Sequence, residues 1–477
     1  MDRRELFEKI ADRLRDPASL ARNMSESGFD KKDVNVVKFM VSASEEDFRA
    51  AAYSEDASAS TKAVTKLSEE TSIERATIAS LIAEIRSTLG LVRPATHVSE
   101  LMEVKNAGNN LMLGPGGFLF RPDPNRARSL FLYRYVGEDR DVEVPEAVQM
   151  GGLRYEVDSI GDSAFKGTKV ESVALHDGIR TVGATAFRDC TELKSMTIPR
   201  TVLEVGVGAF RGCSALPSIE VEEGSRGYAS VDGIVYDRDL KELLHAPGGL
   251  EGDVKIPEGT ERIGAFAFYG CEKMTSVCLP DTLKAIGDSA FNGCSGLAAL
   301  RIPASLDSIG GYAFSGCSGI KGFTVEGGNM TYSSMDGCLC SKDGRTLIKA
   351  PAGDLTEARI PASVEEVGTG AFGGCLKIEK ARIGPGVRSV GQDAFKGCAS
   401  LKDLEISEGV ESIGTYAFFG CTSLEEVVVP DTVRSMGTWA FGDCSSLKKA
   451  SVPSSMDLGP TSFPQVTEIV RRRGKNN

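Results

Sequence analysis

The chain has 477 residues, 53 of them glycine, a single tryptophan and a formal net charge of −12. That length exceeds what one hydrophobic core organises, so the chain is either several domains or an elongated array, and the glycine excess favours an array that turns at short intervals. The acidic balance excludes nucleic acid as the main partner, because phosphate binding needs a basic face.

Residues 1–92 are rich in Ala, Ser, Glu and Lys and contain only two glycines, Gly28 and Gly90. Leu6, Ile10 and Leu14 fall on one helical stripe ahead of Pro17. Thr71 and Glu74 form a capping box before Ile78, Leu81, Ile82, Ile85 and Leu89, and Gly90 stands where a helix stops. The spacing predicts a small α-helical bundle. The charged opening Met1-Asp2-Arg3-Arg4-Glu5 has no apolar segment behind it, and no stretch approaches the ~20 apolar residues of a membrane span. These features predict a cytoplasmic protein, with a cell-surface location by non-standard export as the alternative.

Over 93–150 the apolar period shifts towards two, in Phe118-Leu119-Phe120, Leu130 to Val136 and Val142 to Val144. Gly114 to Gly117 and Pro122-Asp123-Pro124 punctuate these runs. They predict a β-rich cap over the open end of an array.

From 151 to 463 phenylalanines recur as anchors: Phe165, Phe187 and Phe210, then Phe268, Phe291 and Phe314, then Phe372, Phe395, Phe418 and Phe441. The spacing is 22 or 23 within each group and 58 across the two gaps, so each gap holds one period and an insertion. The insertions, at about 226–250 and 330–354, match each other at a displacement of 104 residues and predict two β-hairpins. Their turns are placed near Asp237-Arg238-Asp239 and at Lys342-Asp343-Gly344. Within a unit, Leu300 and Ile302 share one strand face and Arg301 takes the other. The return passage through Ile286-Gly287-x-x-Ala290-Phe291 is expected as a helical or irregular turn, with successive strands parallel. Leu458-Gly459-x-x-Ser462-Phe463 is a final degenerate unit. Residues 464–477, with Arg471-Arg472-Arg473-Gly474-Lys475, read as a solvated basic tail.

The pattern Ile-Gly-x-x-Ala-Phe-x-Gly-Cys-x-x-Leu-x-x-Val-x-Ile-Pro, together with the Tyr-x-Ser-x-Asp-Gly insertions, resembles the BspA-like, Treponema pallidum-type, leucine-rich repeat family. The resemblance covers about Val142 to Phe463. It implies a curved solenoid with a parallel sheet on one face and a role in binding other proteins, since members are often microbial surface proteins. The chain departs from that pattern in its helical front end and in showing no export signal. The fold expected is therefore α+β multidomain: a small N-terminal helical bundle followed by a right-handed leucine-rich-repeat solenoid with a parallel sheet face and two inserted hairpins.

Nine of the twelve cysteines sit three residues after an anchor, from Cys190 to Cys444, and Thr168 takes that place in the first unit. One thiol per coil predicts a buried ladder in a reducing compartment, with no metal or disulfide. Cys278, off the ladder, is the candidate exposed thiol. Gly368-x-Gly370-x-x-Gly373 satisfies a dinucleotide fingerprint by letters alone, since the repeat consensus generates it. With three histidines far apart and no nucleophile or metal motif, no enzyme and no cofactor are expected. The outward sheet positions, ten residues after each anchor, are left free to choose a partner: Thr197, Glu220, Cys278, Arg301, Thr324, Arg382, Glu405, Val428 and Ser451. The reading is a non-enzymatic scaffold that binds other proteins, with neither nucleic acid, membrane span nor small-molecule substrate. Two alternatives are a microbial adhesin and a helical front end that acts as effector while the repeats display it.

Overall fold

The structure is a computed structural model that describes residues 102–108 and 110–472. The chain divides into two units, Met1–Glu100 and Leu101–Asn477, and the second is described below. The helical bundle expected over 1–92 lies outside the described residues. Among these residues there is no α-helix, only a 3-10 turn at Pro115–Gly117, and the rest is strand and turn. The α+β class is therefore corrected: the fold is a β-solenoid. Helical crossovers fail for a physical reason. The thirteen residues between Ile286 and Leu300 run through tight turns instead of a helix, and residues with positive φ interrupt them, Ser289 at 53° and Gly293 at 81°. A left-handed residue interrupts an α-helix.

Each coil contributes to two parallel ladders rather than one. The first contains the predicted outward strands, such as Leu300–Ile302 paired with Phe323–Val325 and Lys380–Ile383 paired with Asp403–Ile406. Leu300 and Ile302 are buried and Arg301 is exposed, which follows from the two-residue period of a strand. The second ladder is made by the return segments, expected above as irregular. Ala285–Ile286 pairs with Arg262–Ile263 on one side and Ser308–Ile309 on the other. β-branched residues such as Ile263, Ile286, Val367, Val390 and Ile413 point inward and suit extended backbone.

Both insertions are three-stranded, not simple hairpins. Tyr228–Val231, Ile234–Asp237 and Glu242–His245 form an antiparallel meander, and the last strand rejoins the second ladder by pairing Leu243 with Ile263. The first turn is Asp232-Gly233, both residues at positive φ, the geometry a two-residue hairpin requires. The counterpart comprises Tyr332–Met335, Cys338–Ser341 and Thr346–Lys349. The middle strands are buried on both faces. Val235 joins the core of the first block while Ile234 and Tyr236 join the second; Leu339 joins the second while Cys338 and Cys340 join the third. The insertions therefore divide the solenoid into three blocks.

Stacked phenylalanines run through each block. Phe165, Phe187 and Phe210 stack at 5.0 and 5.5 Å, and Phe372, Phe395, Phe418, Phe441 and Phe463 at 4.6 to 5.2 Å. The ends are closed by different means. Tyr135, from the strand Ser129–Tyr135, lies 5.3 Å from Phe165, tilted against its ring, and covers the end of that stack. Glu468–Arg472, read from sequence as solvated tail, instead forms a last strand against Lys449–Pro453.

Where the first stack ends, His245 meets the Phe210 ring edge-on at 5.7 Å. Burial pushes its imidazole down to about 4, partly opposed by a hydrogen bond to the backbone of Val205. The unfolded imidazole titrates near 6.5, so between these values the unfolded chain binds more protons. This contribution to stability is present above pH 6.5 and is lost as the pH falls towards 4, by about 3 kcal/mol. Denaturation midpoints of the parent and of His245→Gln, measured at pH 7.5 and 4.5, should show a smaller acid loss in the variant.

Candidate functional site

Eight of the nine outward sheet residues are exposed: Thr197, Glu220, Cys278, Arg301, Thr324, Arg382, Glu405 and Val428. Ser451 is half-buried, because the added last strand places Val470 beside it. They are not one continuous array. Register pairs Thr197 with Glu220, Arg301 with Thr324, Arg382 with Glu405 and Val428 with Ser451, in separate short sheets. The charges largely satisfy one another between rungs. Arg301 pairs with Asp281 at 3.2 Å and with Glu326, and Arg382 lies 3.7 Å from Glu405. Lys402 pairs with Glu379 at 2.7 Å and holds its carboxyl below the usual range, and Lys448 does the same to Glu425 at 2.9 Å. Such exposed pairs are each worth ~0–1 kcal/mol, and they leave few charges on this face without a neighbour.

The cysteine ladder is buried, and it does more than fill space. The thiols of Cys190, Cys213, Cys294 and Cys317 donate to the carbonyls of Phe165, Phe187, Phe268 and Phe291 in the preceding coil, at 3.0–3.1 Å. Cys398, Cys421 and Cys444 repeat the contact with Phe372, Phe395 and Phe418. Each thiol thus satisfies a buried acceptor that alanine would leave with one partner fewer. Burial pushes the Cys271 and Cys338 thiols up to about 12, far from the thiolate range. Cys278 alone of the twelve is exposed. Maleimide labelling of the folded protein should therefore modify one equivalent, at Cys278, and the other eleven only after unfolding.

The surface that sequence reasoning missed lies on the turns. Two residues before the anchor, the backbone is left-handed in ten successive units: Ser163, Thr185, Gly208, Phe266, Ser289, Tyr312, Gly370, Asp393, Tyr416 and Trp439 have φ between 53° and 65°. Glycine occupies such a site freely, whereas a bulky side chain there costs ~1 kcal/mol or more. Four of the ten are nonetheless aromatic. Together with residues one past the anchor they form an edge of half-buried and exposed rings. Phe419 meets Tyr416 at 5.4 Å and Trp439 at 6.4 Å, both edge-on. Lys396 lies 5.2 Å from the Tyr416 ring and pairs with Asp393 at 3.1 Å. The Tyr312 hydroxyl donates to Asp393 at 2.5 Å and accepts from Gln392 at 3.0 Å. Tyr312, held by its hydroxyl, and Trp439, held against Phe419, are 37% and 40% exposed. Gly442 makes this possible: a Cβ there would lie 2.5 Å from the Trp439 ring and 2.9 Å from that of Phe419. A smaller cluster repeats the chemistry where Arg211 covers Tyr269 at 3.7 Å and Phe266 at 4.8 Å. The detectable signal is the column itself, in which two glycines, Gly208 and Gly370, mark a backbone position that four aromatic residues share.

Among the described residues no group of three or more His, Cys, Asp or Glu side chains is placed to hold a metal ion. No helix of these residues is long and apolar enough to cross a membrane.

A family model described as the BspA type leucine rich repeat region matches residues 153–229, 251–338 and 351–469 in six copies. Among solved structures, the chain is similar to a leucine rich cell surface protein from Faecalibacterium prausnitzii, at 26% identity and a TM-score of 0.50, over 76% of this chain and 94% of that one. It also matches a leucine-rich repeat protein from Eubacterium ventriosum, at 16% identity and a TM-score of 0.40, over 75% of this chain and 98% of that one. A leucine-rich repeat protein from Bacteroides ovatus matches at 22% identity and a TM-score of 0.34, over 78% and 98%. No curated protein matches the chain in sequence.

Proposed function

The chain belongs to the BspA type leucine-rich repeat family, and from that premise we propose that it is a non-enzymatic recognition protein that binds other proteins through the aromatic turn edge of its third block. The observation that carries this reading is the placement of Tyr416 and Trp439 at left-handed backbone sites, where glycine would be cheaper, with their rings packed around Phe419 at the surface. Tyrosine and tryptophan beside a cation are the residues that dominate protein interfaces, because they bury large rigid areas at small entropic cost. The sheet face, with Arg382, Glu405 and Val428, is the second candidate surface, and its charges already have partners.

Partner capture by the full chain tests the choice. Tyr416→Ala with Phe419→Ala should abolish capture, whereas Arg382→Ala with Glu405→Ala should leave it intact. The opposite pattern would move the site to the sheet face, and capture that survives both pairs would sink both.

A second reading, a surface adhesin, is supported by one observation: the similar Faecalibacterium prausnitzii protein is described as a cell surface protein. Protease treatment of intact cells separates the two locations. Cleavage of the chain supports the adhesin, and protection supports a cytoplasmic partner.

A further inference from the structure

In a regular coil the turn donates its backbone N–H groups to the next coil. Ser289, Phe291 and Gly293 donate to the carbonyls of Gly311, Ala313 and Ser315, each at 2.8 Å. The corresponding donors one coil later are Tyr312, Phe314 and Gly316, and the second insertion interrupts the stack above them. Among the described residues these three N–H groups have no acceptor. By the geometry of the coils below, they are directed along the solenoid towards the third block. A cleft of about 230 Å³ lies at this junction, lined among others by Tyr312, Phe314, Thr346, Lys349, Glu366 and Gly370. That is several times the ~30 Å³ share of one water.

Lys349 is 6% exposed. Its ammonium donates to the carbonyls of Gly370 at 3.0 Å and Gly373 at 3.1 Å, which leaves one of its three N–H groups and its whole charge without a partner among the described residues. A buried cation with no counterion is costly. The first junction provides an internal comparison, displaced by 104 residues. There the lysine position is His245, its imidazole held neutral at physiological pH, and Phe266 stands at the position of Gly370. The cation belongs to the second junction only.

We propose that the cleft between the second and third blocks is a binding site for a carboxylate, held by the Lys349 ammonium and the backbone N–H groups of Tyr312 and Phe314. Unpartnered backbone donors that line a cleft together with a cation are a usual means of holding an oxyanion. Glu366, exposed at the same cleft, adds a negative charge that disfavours a phosphate dianion and leaves a singly charged carboxylate as the better fit. The site does not depend on recognition through the turn edge.

The test titrates propionate, its neutral isostere propionamide, and inorganic phosphate into the full chain at matched ionic strength, and reads the thermal unfolding midpoint. Propionate should raise the midpoint saturably and propionamide should not. Lys349→Met should weaken the propionate response at least tenfold, and Lys349→Arg should retain it. If Lys349→Met does not fold, Lys349→His, which carries the residue of the first junction, replaces it. Equal responses to propionate and propionamide, an unchanged response in the variant, or a stronger response to phosphate would overturn the proposal. A short acetylated peptide with a free C-terminal carboxylate, compared with its amide, identifies the source. A response to the acid form exceeding that to propionate points to a protein C-terminus, and an equal one to a free carboxylic acid.

Discussion

Phe395→Ala should lower the stability of the third block by about 3–5 kcal/mol. Its ring is fully buried between Phe372 at 4.6 Å and Phe418 at 5.2 Å, nearly parallel to both. Removing it opens a cavity that two coils share, and neither neighbour can collapse into it, because the ladders on either side fix the rung spacing. Phe463→Ala should cost less, since that ring has one stacking partner and remains 9% exposed. In a repeat array each coil contacts only its neighbours, so the loss should concentrate in one block rather than spread along the chain. Trp439, the single tryptophan, lies in the third block, and its fluorescence during denaturation reads that block. Arg301→Ala, which removes exposed ion pairs, should change stability by under ~1 kcal/mol. Equal losses for Phe395→Ala and Arg301→Ala would mean that the aromatic stack does not hold the blocks together.

The buried half of the structure was legible because packing repeats. Phe, Cys, Leu and Ile recur at fixed offsets, and each repeats for the same reason: a side chain in the interior must match the coil above and below. Strand alternation at Leu300, Arg301 and Ile302 could be read in the same way. Two features could not. The second ladder consists of two-residue strands such as Ser389–Val390 and Ser412–Ile413, too short for a period to show. The insertions hide their first turn, because a hairpin that turns near Asp237-Arg238-Asp239 already accounts for the segment, and the two left-handed residues Asp232-Gly233 add a second turn only five residues earlier.

The candidate site escaped for a related reason. The outward sheet positions are the ones that packing leaves free in the sequence pattern, and that face is laced with ion pairs between rungs. The aromatic edge occupies positions where an L-residue is uncommon, and a backbone angle leaves no trace in a single letter. Ser163, Thr185 and Asp393 at the same column look like ordinary turn residues. Reading the ten positions as a column exposes the pattern, since Gly208 and Gly370 mark the conformation and Phe266, Tyr312, Tyr416 and Trp439 depart from what it prefers.

That departure gives the second large effect. Trp439→Gly should reduce affinity for the captured partner by about 2 kcal/mol or more, roughly 30-fold, while leaving stability within ~1 kcal/mol of the parent. Two terms oppose each other in the folded chain. The variant loses the contact with Phe419, but glycine adopts the left-handed backbone at φ 57° without the steric cost that tryptophan bears. Gly208 and Gly370 already occupy the equivalent position in two other coils, so the coil accepts the change. In the complex nothing compensates, because the ring's exposed area would be the part a partner covers. Trp439→Ala separates the terms further: it removes the ring and keeps a Cβ at the left-handed site, so it should lose the same affinity and be less stable than the glycine variant by about 1 kcal/mol. Chemical denaturation followed by circular dichroism and calorimetric titration with the captured partner provide the two readings. A stability loss comparable to that of Phe395→Ala would make Trp439 a core residue, and an unchanged affinity would remove the turn edge from the binding site.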